Sequence, residues 1–138
     1  MSTFLQICSS KFPVLPGEAE EVTNPGTFGK SFAQYRQERL VERNYAVPSI
    51  CCEGWGWWVG VQLSNALIGL CCYRAHDESK ECDFACTTSV EKARVWSWKR
   101  FRYLDLSDEL AQLDEDLKAI LSEDPDVEFV GEKDDNPL

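Results

Sequence analysis

Residues 51–73 read CCEGWGWWVGVQLSNALIGLCCY, and this stretch decides how the chain folds. It holds three of the five tryptophans and four of the seven cysteines, and Glu53 is its only acid. Two apolar runs flank the polar step Ser64-Asn65, a pattern that predicts a β-hairpin at the centre of the structure. The glycines among the aromatic residues before Val59 indicate a hinged corner where the chain enters this hairpin.

Alternation along the first strand of the hairpin assigns its side chains to two faces. We expect one face to line the core, with Trp55 and Trp57 filling it. The other face carries Gly56, Trp58 and Gly60. Because a glycine on a strand allows another backbone to approach closely, this second face is the predicted seat of a helix, with Trp58 covering the seat.

The length and composition of the chain fit one ordinary domain. With 138 residues, of which 43% are apolar, the chain can bury a packed core. We expect a single domain over residues 1–131 and a flexible acidic tail over 132–138. No stretch reaches the roughly 20 apolar residues of a membrane span. The first residues lack the basic start and apolar run of a signal peptide, so we expect a cytoplasmic protein that does not bind membranes.

Seven cysteines are an odd number, so a complete set of intrachain disulfides would leave one thiol over. Reduced thiols that behave as small buried hydrophobes are the favoured interpretation. Neighbours on a strand point to opposite faces, so each of the pairs Cys51-Cys52 and Cys71-Cys72 should place one thiol on each side of the sheet.

Two amphipathic helices are predicted on either side of the hairpin in sequence. Asn24-Pro25 marks the start of the first, and Asn44 can end it in the left-handed conformation. Ser107 is the predicted N-cap of the second, which runs to about Ser122. The predicted apolar faces comprise Phe28, Phe32, Tyr35, Arg36 and Leu40 in the first helix, and Leu106, Leu110, Leu113, Leu117, Ile120 and Leu121 in the second.

Further strands are predicted at residues 3–8, 47–52, 84–88 and 127–130, and residues 11–21 are predicted to form a loop. This order of elements predicts an α+β fold. We expect a single two-layer sandwich in which a mainly antiparallel sheet carries the two amphipathic helices on one face.

The net charge of −10 is concentrated at one end of the chain. Residues 105–138 carry thirteen acids against Lys118 and Lys133, whereas residues 1–104 are close to neutral. A field of this sign repels nucleic acid and steers basic partners towards the chain. A solubilising face with a frayed tail would show the same pattern.

No residues suggest a catalytic site. The single histidine, His76, lies in a polar segment beside Asp77 and Glu78, and no Gly-rich stretch resembles a phosphate-binding loop. Because no nucleophile, base and oxyanion donor can be named together, we expect no enzymatic activity, no catalytic residues and no cofactor.

A zinc site is the alternative use of the cysteines, because Cys and His are zinc ligands. The spacing C-C-x3-H-x5-C-x3-C lacks the paired C-x2-C of a ribbon or finger, so thiols in the core are favoured and no metal is predicted. The residues concerned are Cys71, Cys72, His76, Cys82 and Cys86.

Residues 92–103, from Lys92 to Tyr103, interleave five bases with Trp96, Trp98, Phe101 and Tyr103. Their alternation favours a strand, although a helix is an alternative. Single-stranded nucleic acid or a small ligand could bind such a surface. The acidity of the whole chain makes a partly buried edge strand the favoured interpretation, and nucleic acid a disfavoured partner.

Two motifs resemble those of a family of small bacterial proteins. The first is Asn24-Pro25-Gly26-x-x-Gly29 before an amphipathic helix, and the second is Glu53-x-Trp55-Gly56-Trp57. Members of this family, like this chain, end in an acidic helix, an Asp-Pro turn and a short strand. The resemblance covers most of the chain and implies a bacterial origin and the fold described above. It implies no activity.

The function that fits best is a small acidic protein-binding module. The leading hypothesis is a cytosolic immunity or inhibitor protein that occludes the active site of a basic effector toxin by charge and shape. The alternative is a ligand or single-stranded nucleic-acid binder that uses residues 92–103. The residues predicted to bind the partner are Glu53, Trp58, Trp96, Asp108, Glu109, Glu115 and Asp116.

Overall fold

The computed structural model describes residues 4–22, 28–64, 66–75, 83–88, 94–97, 102–133 and 138. In these ranges the chain forms β1 (Phe4–Cys8), α1 (Glu18–Glu21), α2 (Lys30–Glu42), β2 (Ala46–Glu53), β3 (Gly56–Gln62), β4 (Leu67–Arg74), β5 (Asp83–Thr88), β6 (Arg94–Ser97), β7 (Arg102–Asp105), α3 (Ser107–Glu123) and β8 (Glu128–Lys133). The mainly antiparallel α+β fold predicted from the sequence is confirmed.

Six strands form one sheet in the order β2-β3-β4-β5-β1-β8, and every neighbouring pair is antiparallel. The predicted central hairpin is present as β3 and β4, with Gly60 opposite Gly69. Strand β1 lies between β5 and β8, so the sheet joins the start and the end of the described chain. Strands β6 and β7 pair with each other in a separate two-stranded sheet.

The core lies against the sheet face that carries Trp57, Val59 and Val61 of β3. These side chains are buried, and the same core contains buried residues from α2 and α3. Burial of each large apolar side chain stabilises the fold by roughly 1.5–3 kcal/mol. The helix residues in the core are Phe32, Ala33, Tyr35 and Leu40 of α2 and Leu113, Leu117, Ile120 and Leu121 of α3.

The prediction that a helix packs on the face of Gly56 and Gly60 is wrong. Helix α2 packs on the opposite face, where a Cβ atom on Gly29 would lie 3.4 Å from Cδ1 of Trp57. The space above Gly60 is taken by the indole of Trp58. A glycine on a strand makes room for any close neighbour, and here the neighbour is a side chain of the same strand.

The prediction that Trp55 fills the core is also wrong. Trp55 is 40% exposed, and its ring packs against that of Tyr73 at a centroid distance of 5.2 Å. Gly54 and Trp55 form the turn between β2 and β3, so the strand alternation that buries Trp57 does not extend back to Trp55.

Helix α2 begins at Lys30, later than predicted, and residues 23–27 lie outside the described ranges. Asn44 has a φ of 72° and ends the helix as predicted. The N-terminus of α2 is capped from a distance. The buried carboxylate of Glu18 accepts hydrogen bonds from the backbone N–H groups of Gly29 at 2.9 Å and Lys30 at 3.3 Å. Glu18 opens the single turn of α1, where a loop was predicted.

Strand β8 extends to Lys133, beyond the domain boundary predicted at residue 131. The extension forms because Leu5 and Phe4 of β1 provide backbone partners for Glu132 and Lys133. Residues 134–137 of the predicted tail lie outside the described ranges.

Candidate functional site

Helix α3 is built as the sequence predicts, except at its first residue. Ser107 is the first helical residue rather than the N-cap, and its N–H and hydroxyl both donate to the carboxylate of Asp105. The apolar stripe faces the core and the acids lie on the other side. The helix carries six acids and Lys118 as its only base, and no base lies in its last turn.

Two of the four predicted partner-binding acids on α3 have structural partners. Asp116 accepts hydrogen bonds from Arg43 at 3.2 Å and from the hydroxyl of Tyr45, which ties α3 to the end of α2. Burial, together with this bond to Asp116, raises the pKa of Tyr45. Glu109 accepts bonds from the backbone N–H of Ser64 at 3.0 Å and from its hydroxyl. Both carboxylates therefore hold α3 in place.

The other two, Asp108 and Glu115, point into solvent. Both are exposed, and neither has a hydrogen bond or ion pair with any residue of the described ranges. They are seven residues apart, which places them on the same side of the helix and about 10 Å apart along its axis. Asp108 and Glu115 therefore remain available to a partner.

A cavity of about 420 Å³ opens between α2, the C-terminal end of α3 and the segment that follows β1. Its lining contains four acids, three bases and an apolar portion. The lining residues are Lys11, Tyr35, Arg39, Glu42, Arg43, Ile120, Glu123, Asp124, Pro125 and Asp126.

One of the less exposed polar groups of this cavity is Asp124, whose side chain is 10% exposed. Its carboxylate accepts bonds from Lys11 at 2.6 Å, from the hydroxyl of Tyr35 at 2.7 Å and from the N–H of Asp126 at 2.9 Å. Burial by itself would raise the pKa of Asp124, but these three bonds outweigh it and lower the pKa to about 2. Burial and the bond to Asp124 in turn raise the pKa of Tyr35.

The bases that line the cavity are neutralised by acids beside them. Lys11 pairs with Asp124, and Arg39 pairs with Glu42 at 2.9 Å. Arg43 donates to Asp116 and, at 3.0 Å, to Glu123. Lys11 and Arg39 also lie over the ring of Tyr35, at 4.8 and 5.3 Å from its centroid.

The carboxylate of Asp126 has no hydrogen bond or ion pair with the part of the chain that the structure describes. Glu123 is bound only at one oxygen in the described structure, and its side chain is 70% exposed. The acceptors left over at this end of α3 therefore come from Glu123, Asp126 and the last carbonyl groups of the helix.

Trp58 and Glu53 lie on the sheet face opposite the core. A Cβ atom on Gly60 would lie 2.6 Å from Cη2 of Trp58, and one on Gly69 would lie 1.8 Å from Nε1. The indole therefore lies flat across two strands and fills both glycine positions. Cys51 is the cross-strand neighbour of Trp58, and its thiol contacts the exposed carboxylate of Glu53 at 3.5 Å.

The predicted partner-binding residues therefore fall on two separate surfaces. Ser64, which binds Glu109, follows the end of β3, whereas Glu53 pairs with Gly56 at its beginning. The length of β3 separates these two ends by roughly 20 Å. Trp96 lies on β6, where its backbone pairs with Tyr103, and its side chain is outside what the structure describes.

The cysteines point as the sequence predicts. Cys72 is fully buried in the core beside Cys86 of β5, whereas Cys71 pairs with Trp58 and faces the other side. Cys52 packs against the core and Cys51 is exposed. Burial raises the pKa of Cys72, and raises that of Cys86 to about 11, so both thiols are poor nucleophiles.

The structure describes only some of the residues of the alternative zinc site. His76 and Cys82 lie outside the described residues. Within the described ranges, no three side chains of His, Cys, Asp or Glu form a group that could hold a metal ion. The absence of a metal stays a prediction.

The cavity could not be predicted from the sequence. Lys11, Tyr35 and Asp124 are far apart in the chain and meet only after β1 has paired beside β8. The one local hint is Asp124-Pro125, which the sequence identifies as the stop of α3 and which also forms one wall of the cavity.

Comparison with models of protein families, with curated proteins and with solved structures finds no match for this chain. The resemblance to small bacterial proteins therefore stays a prediction. In the described ranges, every helix is too short or too polar to cross a membrane.

Proposed function

We propose that this protein is a non-enzymatic binding module for a basic protein, and that it acts in the cytoplasm as the immunity or inhibitor partner of an effector toxin. The observation that carries the proposal is the outer side of α3. Asp108 and Glu115 are exposed there without a partner in the described structure, two helical turns apart. The toxin would bind along α3, so that this acidic surface covers the active site of the toxin.

The charge distribution supports such a role. Uncompensated carboxylates on one face of a chain with a net charge of −10 raise the association rate of a basic partner. The distance from Asp108 to Glu123 along α3 is about 22 Å. An interface of ordinary size, about 800 Å² on each partner, can include both residues.

The proposed absence of catalysis rests on the chemistry of the groups present. The thiols of Cys71, Cys72 and Cys86 are buried and their pKa values are raised, the opposite of what a nucleophile needs. Among the acids, Asp116 and Asp124 accept several hydrogen bonds each. These groups serve the fold rather than a reaction.

The test uses the product of the neighbouring reading frame as the candidate toxin. We expect its expression alone to arrest growth and its co-expression with this chain to restore growth. With purified proteins, calorimetry should show a Kd that weakens steeply with salt. The double variant Asp108→Asn/Glu115→Gln should bind at least ten times more weakly.

The matched control is Glu20→Gln/Glu38→Gln, which removes the same two charges from exposed positions on α1 and α2. The affinity of this control variant for the partner should change less than threefold. The variant loses only long-range electrostatic attraction, which depends weakly on where the charge is removed. Equal losses in the two double variants would rule out α3 as the binding surface. The absence of any complex would remove the immunity role for that pair of proteins.

A second candidate function uses the hairpin of β6 and β7. Its register places Trp96 directly opposite Tyr103 and Arg102 opposite Ser97, so an aromatic pair and a base lie within one short sheet. Single-stranded nucleic acid binds such combinations. Titration with oligonucleotides at low salt should then quench tryptophan fluorescence, and the variant Trp96→Ala should lose the quenching. Unchanged fluorescence would remove this candidate.

A further inference from the structure

The lining of the cavity between α2 and the end of α3 contains more acids than bases, four against three. Its three bases are already paired with acids, through contacts of 2.6 Å for Lys11, 2.9 Å for Arg39 and 3.2 Å for Arg43. What remains is the free carboxylate of Asp126, one oxygen of Glu123 and the helix carbonyls. The C-terminal end of a helix also carries a partial negative charge, and no base of α3 itself offsets it.

A positively charged occupant would therefore offset the excess of acid in the lining and donate to the carboxylate of Asp126. An apolar stem on the occupant would fit as well, because Ile120 and Pro125 are part of the lining. A guanidinium meets these requirements better than an ammonium, since its planar fork can donate to a carboxylate and to helix carbonyls at the same time. The volume of about 420 Å³ is ample for one long side chain.

We propose that this cavity receives an arginine side chain of the basic partner, with its guanidinium between Asp126 and Glu123. This inference rests on the proposed function and adds a specific anchor to it. The side chain enters at the end of α3, and Asp108 and Glu115 contact the partner further along the same helix. A pocket that takes one long side chain is a typical centre of binding energy in an interface.

The test begins without the partner. The probe is the peptide N-acetyl-Gly-Arg-Gly-amide, and the control is the same peptide with citrulline, which keeps the shape but has no charge. In the isotope-labelled full chain, the arginine peptide should shift the NMR signals of Ile120 and Asp126 with a Kd on the order of millimolar. The citrulline peptide should cause no shift at the same concentrations. Equal shifts from both peptides, or shifts confined to Asp108 and Glu115, would overturn the proposal.

Variants then locate the contact. Asp126→Asn and Glu123→Gln should together weaken peptide binding at least fivefold, whereas Asp108→Asn/Glu115→Gln should leave it within twofold. Neither Asp126 nor Glu123 is buried, so both variants are expected to fold. A peptide affinity that does not change in the Asp126/Glu123 variant would contradict the proposed site.

The same variants separate this inference from the proposed function. If the neighbouring-frame protein binds and depends on Asp108 and Glu115 but not on Asp126 and Glu123, the arginine site is wrong and the immunity role stands. If that protein does not bind at all while the arginine peptide still enters the cavity, the immunity role fails and the site stands.

Discussion

The guanidinium of Arg36 donates a hydrogen bond of 3.2 Å to the thiol sulfur of Cys72 inside the core. Arg36 is 1% exposed and Cys72 is fully buried. The second terminal nitrogen of Arg36 has no hydrogen-bond partner among the described residues. Burial raises the pKa of Cys72 while Arg36 opposes that effect, so the sulfur is a weak and neutral acceptor. Arg36 therefore carries a buried charge that the described core does not neutralise.

Replacing this charge with an apolar side chain of similar length should stabilise the protein. We expect Arg36→Met to raise the free energy of unfolding by about 1–4 kcal/mol, because desolvation of the guanidinium is avoided and no opposite charge is left alone. Urea denaturation measures the change. The control Arg39→Met, at a partly exposed position of the same helix, should change stability by less than about 1 kcal/mol. A loss of stability in Arg36→Met would contradict the conclusion that the buried charge of Arg36 costs stability.

Because the indole of Trp58 lies flat on the sheet, a side chain at position 69 would displace it. A Cβ atom there would lie 1.8 Å from Nε1 of the indole, so Gly69→Ala should force the ring off the sheet and cost about 1–3 kcal/mol. In a Trp58→Ala background the same substitution should cost much less, since the space is then empty. Thermal denaturation of the four proteins of this cycle gives the coupling energy. An equal loss of stability from Gly69→Ala in both backgrounds would contradict the contact between the Trp58 indole and Gly69.

The buried carboxylate of Glu18 should be essential for the start of α2. It accepts bonds from the N–H groups of Leu15, Gly29 and Lys30, and its removal leaves these donors without a partner. We expect Glu18→Ala to lower stability by about 3 kcal/mol or more, as each unsatisfied buried donor costs about 1–3 kcal/mol. The control is Glu20→Ala, an exposed acid in the same turn, which should cost less than about 0.5 kcal/mol. Hydrogen exchange at the first turn of α2 should rise only in the Glu18 variant.

Because the pKa of Asp124 is lowered, the stability of the protein should depend on pH under acidic conditions. The folded pKa is about 2, below the ordinary value of 3.8, so the ionised form stabilises the fold. This contribution is complete above about pH 5 and is lost as the pH falls from 4 towards 2. Urea unfolding at a series of pH values should show this slope in the natural chain and a flatter curve in Asp124→Asn. Asp108→Asn should retain the slope.

The sequence predicts well what depends on neighbours in the chain. The period of two in β3 identifies Trp57, Val59 and Val61 as core residues, and the period of α3 identifies its buried leucines. The same pattern cannot say what fills the space above Gly60. The decisive residue is Gly69, which lies opposite Gly60 only once the hairpin register is known. Trp58 lies two residues before Gly60, and Gly60 faces Gly69 across the hairpin. This combination of a tryptophan with two facing glycines could have predicted the position of the indole.

The candidate site was predictable only in part for the same reason. Charge and helical period were enough to locate Asp108 and Glu115 on the outer side of α3. They could not show that Asp116 is bound by Arg43 and Tyr45, because that contact joins α3 to the end of α2. Likewise, Glu18 and Asp124 are ordinary acids in sequence, and only packing between distant segments gives them their roles.

The position of β1 also sets the order in which the molecule can be completed during synthesis. Leu5 pairs with Cys86 on one side and with Glu132 on the other, so β1 must wait during synthesis for two partners that lie much later in the chain. Strands β2, β3 and β4 pair with their neighbours in sequence and can assemble early. Until β8 emerges, β1 keeps one edge unpaired, and an unpaired strand edge in an incomplete chain favours aggregation.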